Sequence, residues 1–202
     1  MKKTSASARK LHKPLKGDRF TLRPFTEKDI SDRYIGWLND PEVNRFLEVK
    51  FVHQTHETVL KFVQSFYGEV EKYMWGIYPN DAAGPIGTTT LHEIRRNHGT
   101  GEIGLMIGEA EYWGKGASNE AKELVLEFAF ETLGLRRATG GCYASNHGMN
   151  FTFKRLGFTF EGKQRAAWYV SPGTYVDGFR WGILADEWRA RPRRQSTANN
   201  RD

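Results

Sequence analysis

Glu102-Ile-Gly-Leu-Met-Ile-Gly-Glu-Ala-Glu-Tyr-Trp-Gly-Lys-Gly-Ala-Ser-Asn-Glu-Ala121 is the stretch that decides the fold of this chain. It opens as an apolar strand, passes through a glycine-punctuated loop and enters an amphipathic helix. Gly114 and Gly116 permit backbone angles and close approaches that other residues resist. A helix starting directly after them aims free N–H groups and the positive end of its dipole into the same space. Phosphates and pyrophosphates are held in that way. A tight strand-to-helix turn without a ligand is the alternative reading.

Spacing removes two phosphate-binding motifs. A P-loop needs four residues between its first glycine and the Gly-Lys-Ser/Thr group. Here five residues separate Gly108 from Gly114, and Gly116 stands where the magnesium-binding hydroxyl belongs. The dinucleotide fingerprint needs a third glycine where Asn119 stands, and no acidic residue follows at the expected distance in a βαβ context.

Outward from the loop, the pattern alternates strands and helices. Phe20–Pro24 reads as a strand. Thr26 and Asp29 form a capping box expected to open a helix through Tyr34, Ile35 and Leu38. Asp40-Pro41 marks a second helix start, and Thr55 a third, with Val59, Phe62, Val63 and Phe66 at helical spacing. Strands follow at Tyr73–Tyr78, Ile86–Leu91 and Glu102–Ile107. The helix after the glycine loop is expected to bury Ala121, Leu124, Val125 and Phe128 and to stop at Gly134. Ala138–Tyr143 reads as a strand and Asn146–Leu156 as a helix. Three strands, Phe158–Glu161, Gln164–Tyr169 and Phe179–Leu184, complete a single α/β domain with one mixed sheet.

A chain of 202 residues suits one domain, and at 39% hydrophobic it has material for a core. No run approaches the length of a membrane helix, and the basic start lacks the apolar stretch of a secretory signal. A short transit peptide is the other reading of that start. The single Cys142 excludes an internal disulfide and fits a reducing, cytoplasmic setting. The net charge of +6 belongs to the ends: residues 1–17 and 189–202 together carry +10, leaving −4 for residues 18–188. The expected organisation is therefore two solvated basic tails flanking a mildly acidic domain at 18–188. Weak contact with nucleic acid through the tails is the rival role for them.

These features together resemble the GCN5-related N-acetyltransferase superfamily, and within it the branch that acetylates N-termini of ribosomal proteins. The resemblance rests on Glu102-Ile-Gly104, Tyr112-Trp-Gly-Lys-Gly116, Glu120-Ala121, Asn146, Leu156-Gly-Phe158 and Glu161-Gly162, which occur in the family's order. Asp40-Pro-Glu-Val43 and Asp186-Glu-Trp188 extend it. It implies a mostly antiparallel sheet splayed at an acetyl-CoA site. Main-chain amides of Trp113, Gly114, Lys115, Gly116 and Ala117 would cradle the pyrophosphate. Backbone groups of Met106 and Ile107 would pair with the pantetheine arm, and Asn146 would contact the cofactor, besides capping its helix.

Direct transfer needs a neutral amine, donors for the developing oxyanion, a base for the amine proton and an acid for the departing thiolate. Glu102 is the candidate base, acting through water; a cross-strand ion pair is the alternative use for it. His92, Glu93 and His98 are weaker candidates. The family places its proton donor as a Ser three residues after the Asn or a Tyr four before the Gly of Leu-Gly-Phe. This chain has Met149 and Phe153 there, neither able to donate; Ser145, Thr152, Tyr143 or a water could take the part, and the spacing does not select among them. The acceptor region falls near Trp37, Phe46, Phe51, Trp168 and Tyr175, with Trp37 and Asp177 as the candidate acceptor contacts. The expected activity is acetylation of a primary amine, on a protein N-terminus, an amino sugar or another small amine, by a monomer or homodimer using no metal. A non-catalytic CoA-binding module is the alternative.

Overall fold

The computed structural model describes residues 12–68 and 70–192, so expectations for residues 1–11 and 193–202 lie outside it. The strands are β1 (Leu15–Lys16), β2 (Phe20–Pro24), β3 (Tyr73–Pro79), β4 (Gly87–Arg95), β5 (Thr100–Ile107), β6 (Arg137–Tyr143), β7 (Thr159–Ser171) and β8 (Thr174–Leu184). The helices are α1 (Asp32–Asn39), α2 (Pro41–Asn44), α3 (His56–Gln64), α4 (Ala117–Glu127), α5 (His147–Arg155) and α6 (Ala185–Ala190). One sheet runs β1-β2-β3-β4-β5-β6-β8-β7. Among the described residues only β5 and β6 pair in parallel; every other neighbouring pair is antiparallel.

Strand alternation sends side chains to two separate cores. Met74 and Met106 join Phe25, Tyr34, Trp37, Val59 and Val63 beneath α1 and α3. Trp75, Ile103 and Ile107 join Ala121, Val125, Phe153 and Trp181 beneath α4 and α5. The sheet is thus covered on both faces. Among the described residues, no helix is long and apolar enough to cross a membrane.

Several local expectations change. The Thr26 capping box closes only a 3-10 turn at Glu27–Asp29, because Ile30 turns extended and Ser31 starts α1 afresh by accepting the Tyr34 N–H. Phe62 lies on the outer side of α3, 49% exposed, although its spacing matches the apolar set. The segments expected as separate strands at Phe158–Glu161 and Gln164–Tyr169 are one strand, β7. Register shifts in its pairing with β8, one of them around Ala166 with φ of 47°, absorb the polar interruption. The domain also extends past 18–188: β1 pairs with β2, and Arg189 closes on Glu131 and Asp186.

Glu120 joins α4 to the start of β2. Its carboxylate accepts the backbone N–H groups of Arg19 (2.7 Å) and Phe20 (3.0 Å) and the Arg19 Nε (3.2 Å). Bonds to a charged acceptor each contribute about 1.5–3 kcal/mol, and the amides left behind are partly shielded from water. Glu120→Ala should lower the unfolding free energy by about 2–3 kcal/mol, read as a lower denaturant midpoint at unchanged slope.

Candidate functional site

The two parallel strands part almost as soon as they meet. β5 and β6 pair only from Thr100↔Arg137 to Glu102↔Thr139. β5 then continues to Ile107 on β4, while β6 continues to Tyr143 on β8. Between them opens a fork whose walls are strand edges. Gly108 donates its N–H to the Ile86 carbonyl at 2.8 Å, so it faces β4. Antiparallel alternation turns Leu105 and Ile107 the other way, into the fork. Met106, expected to line it with its backbone, faces β4 instead, its carbonyl pressed against Gly87. The Trp113 indole donates to the Ile107 carbonyl (2.9 Å) and so fixes the loop over the fork's mouth.

At that mouth the glycine loop presents its amides. Trp113 and Lys115 spend their N–H groups inside the loop, on the carbonyls of Ala110 (3.0 Å) and Tyr112 (3.4 Å). Those of Gly114, Gly116, Ala117 and Ser118 have no hydrogen-bond partner among the described residues. Gly114 (φ 72°) and Gly116 (φ 84°) hold left-handed angles that produce this presentation. Arg19 steadies the loop from outside by donating to the Lys115 carbonyl (3.0 Å). The Asn119 side-chain oxygen is buried beside it without a partner.

Asn146 caps α5 by accepting the Met149 N–H at 3.1 Å. Asn150, which the sequence did not single out, holds the far arm of the fork. It donates to the Asn146 carbonyl (2.9 Å) and the Ala144 carbonyl (3.1 Å) and accepts from the Trp181 indole (3.0 Å).

Glu102 sits at the crotch, where pairing ends. Arg180 from β8 grips its carboxylate with two bonds, 3.1 and 2.6 Å long. His92 stands opposite it in register, with Nδ1 3.2 Å from the Thr90 hydroxyl. Burial holds the His92 imidazole below its ordinary value, with the Glu102 charge pulling the other way. Glu93 forms a bulge in β4 (φ 48°) with its side chain exposed, and His98 lies in the exposed turn after it.

The acceptor-side residues divide. Trp37 is only 7% exposed, stacked over Gly108 with its indole donating to Glu109 (3.0 Å). Asp177 accepts the Ala166 N–H (2.9 Å) and pairs with Lys163 (3.0 Å), contacts that hold its carboxyl below the usual range. Phe46 and Trp168 do come together, around Tyr143 at the end of β6, with ring centroids 5.6 and 4.9 Å away. Lys50 donates to the Tyr143 hydroxyl at 2.9 Å. Phe51 meets Tyr169 at 5.6 Å, and Tyr169 meets Tyr175 at 5.8 Å.

This geometry has known counterparts. Residues 19–159 match the acetyltransferase (GNAT) domain family. The chain is 25% identical over 174 residues to the uncharacterized N-acetyltransferase p20 of Bacillus licheniformis, covering 85% of this chain and 96% of that one. It is 26% identical to the uncharacterized N-acetyltransferase YnaD of Bacillus subtilis, covering 84% and 96%. Its fold matches RimL, the ribosomal L7/L12 α-N-protein acetyltransferase solved with coenzyme A, at a TM-score of 0.76. That likeness covers 87% of this chain and 99% of RimL at 18% identity. The chain belongs to the GNAT family and is an N-acetyltransferase.

Sequence reading also passed over Lys122. It lies on the α4 stripe of Ala121, Val125, Leu126 and Ala129, where helical spacing calls for an apolar residue. It is 1% exposed, with its Nζ 4.8 Å from the centre of the Phe153 ring. Burial pushes its pKa down to about 8, while Cys142 and Glu102 hold it up. The native state therefore binds fewer protons than the unfolded chain between about pH 8 and the ordinary lysine value of 10.5. Below that window the buried charge costs about 3 kcal/mol; within it, the cost fades as pH rises. Lys122→Met should raise stability by roughly 2–4 kcal/mol at pH 7. Denaturant titrations should show this gain shrinking above pH 8 and nearly gone by pH 10.5.

Proposed function

We propose that this acetyltransferase binds acetyl-CoA and a primary amine together and transfers the acetyl group by direct attack. The observation that carries this reading is the fork, which ends against a loop of unpartnered amides. A strand edge wants an added strand, and free helix-start amides want an anion. Acetyl-CoA satisfies both, its pantetheine arm along the edge and its pyrophosphate at the loop. The N–H groups of Gly114, Gly116, Ala117 and Ser118 would hold the pyrophosphate, with Trp113 and Lys115 shaping the loop. Leu105 and Ile107 would pair with the pantetheine arm in place of Met106. Asn146 keeps its side-chain N–H₂ for the same ligand, because capping uses only its oxygen. Once bound, acetyl-CoA supplies the activated acetyl group.

The remaining work falls to the chain's own side chains. Glu102 would accept the amine proton through water. Arg180 holds the carboxylate in place with two hydrogen bonds, so that it faces the water that would carry the proton. The amine would approach over the α1–α3 face, along the shelf formed by Tyr143, Trp168, Phe46 and Lys50. Trp37 and Asp177 have other partners and would support this surface without touching the acceptor. The reaction would take place in the cytoplasm.

Purified protein with acetyl-CoA and an N-terminal peptide, an amino sugar, a polyamine or an aminoglycoside should release thiol faster than hydrolysis alone. Thiol release no faster than hydrolysis with any of the four would sink this reading. CoA at a hundred times its Kd should stabilise the protein by about 2.7 kcal/mol. Gly114→Val and Gly116→Val should abolish most of that shift, measured from each variant's own ligand-free melting temperature, which the strain of valine at these left-handed angles also lowers. A full shift in both variants would displace the pyrophosphate from this loop.

A further inference from the structure

We propose that Lys122 is the proton donor to the departing CoA thiolate, a role resting on the acetyl-CoA reading above. Both positions at which the resemblance would put a donor, Met149 and Phe153, lack an acidic proton. Phe153 nevertheless marks the place. Its ring tip abuts Gly140 of β6, and a Cβ built on Gly140 would lie 3.6 Å from the Ile103 carbonyl of β5. The ring therefore lies beneath the fork, one residue beyond the last β5–β6 pair. The Lys122 Nζ lies over that ring, brought there from α4.

The surroundings suit the task. Among the described residues Lys122 makes no ion pair, and its Nζ sits over the ring face of Phe153. The charged or titratable groups around it are Glu102 on β5, which Arg180 of β8 engages, His92 on β4 and Cys142 on β6. Burial pushes the Cys142 thiol up to about 11, so it stays neutral and does not compete for the proton. An ammonium with a pKa of about 8 is close to a thiol's own value of about 8–9, so proton transfer between them is nearly level.

The step balances. The acceptor nitrogen forms its bond to the acetyl carbon, the carbon–sulfur bond breaks, and its electron pair leaves on sulfur. Lys122 delivers a proton to that sulfur. The proton shed by the acceptor nitrogen passes through Glu102 and water and recharges the lysine. Amide and free thiol result, with no net gain or loss of protons.

The test needs no acceptor. CoA itself is bound to the wild-type protein, Lys122→Met and Lys122→Gln, and the bound thiol is titrated by the ultraviolet absorbance of the thiolate. Calorimetry on the same samples measures affinity. The ammonium should lower the thiol pKa in the wild-type complex by about one unit or more relative to free CoA. In both variants it should return to the free value or rise above it, with CoA still bound. A wild-type thiol titrating like free CoA, or identical thiol values in all three complexes, overturns the role of Lys122. Failure of the wild-type protein to bind CoA instead overturns the acetyl-CoA reading beneath it.

Discussion

The parting of β5 and β6 is the constraint on which the rest of this molecule depends. Two parallel strands that pair over three residues and then separate leave backbone donors and acceptors facing a gap. Such groups are costly to bury without partners. Each arm is therefore held from its outer side. β4 follows β5 to its end, β8 follows β6 to its end, and Asn150 fastens the end of β6 to α5. At the crotch, Arg180 reaches from β8 to Glu102 and ties the arms together where their ladder stops. The gap is thus built into the sheet.

The loop at the fork's mouth follows from the same constraint. Beyond Ile107 the chain must turn from an edge that faces the gap into a helix that lies beneath the sheet. Two left-handed glycines make the turn within four residues, and Glu120 fixes the helix that follows by holding the start of β2. The helix amides freed by this geometry follow directly on the strand edge freed by the fork, and the Trp113 indole ties the loop to that edge at Ile107. One extended ligand with an anionic end satisfies both.

Much of this was legible in the sequence because it is written locally. Gly114, Gly116, the Asn146 cap and the Asp40-Pro41 start each act through neighbouring residues, so their spacing revealed them. What escaped depends on partners distant in sequence. Strand alternation sets which of Met106 and Ile107 faces the fork, but only the pairing with β4 fixes its phase. Arg180 is 78 residues from Glu102, and nothing near either residue announces their pairing. The Thr26 box looked like the start of a long helix; its Asp29 instead also takes the Tyr78 hydroxyl from β3. Lys122 is a different case. Its position on an apolar stripe was readable, and only the habit of reading a helical lysine as solvated hid it.

Lys122 also shows how the sheet divides the proposed chemistry. Glu102 and His92 lie on the face covered by α1 and α3, whereas Lys122 rises from α4 on the other face. Between them, β5 and β6 stay paired only as far as Glu102↔Thr139, and beyond that pair lies the fork. A proton taken from an amine on one face and a proton given to sulfur from the other are therefore handled by separate groups. The Glu102 carboxylate helps to hold the lysine's charge, and Arg180 holds that carboxylate in position. A single group serving both steps would have to be charged and neutral in turn. The fold instead sets the proposed base and the proposed acid on opposite sides of the fork, where a thioester would lie between them.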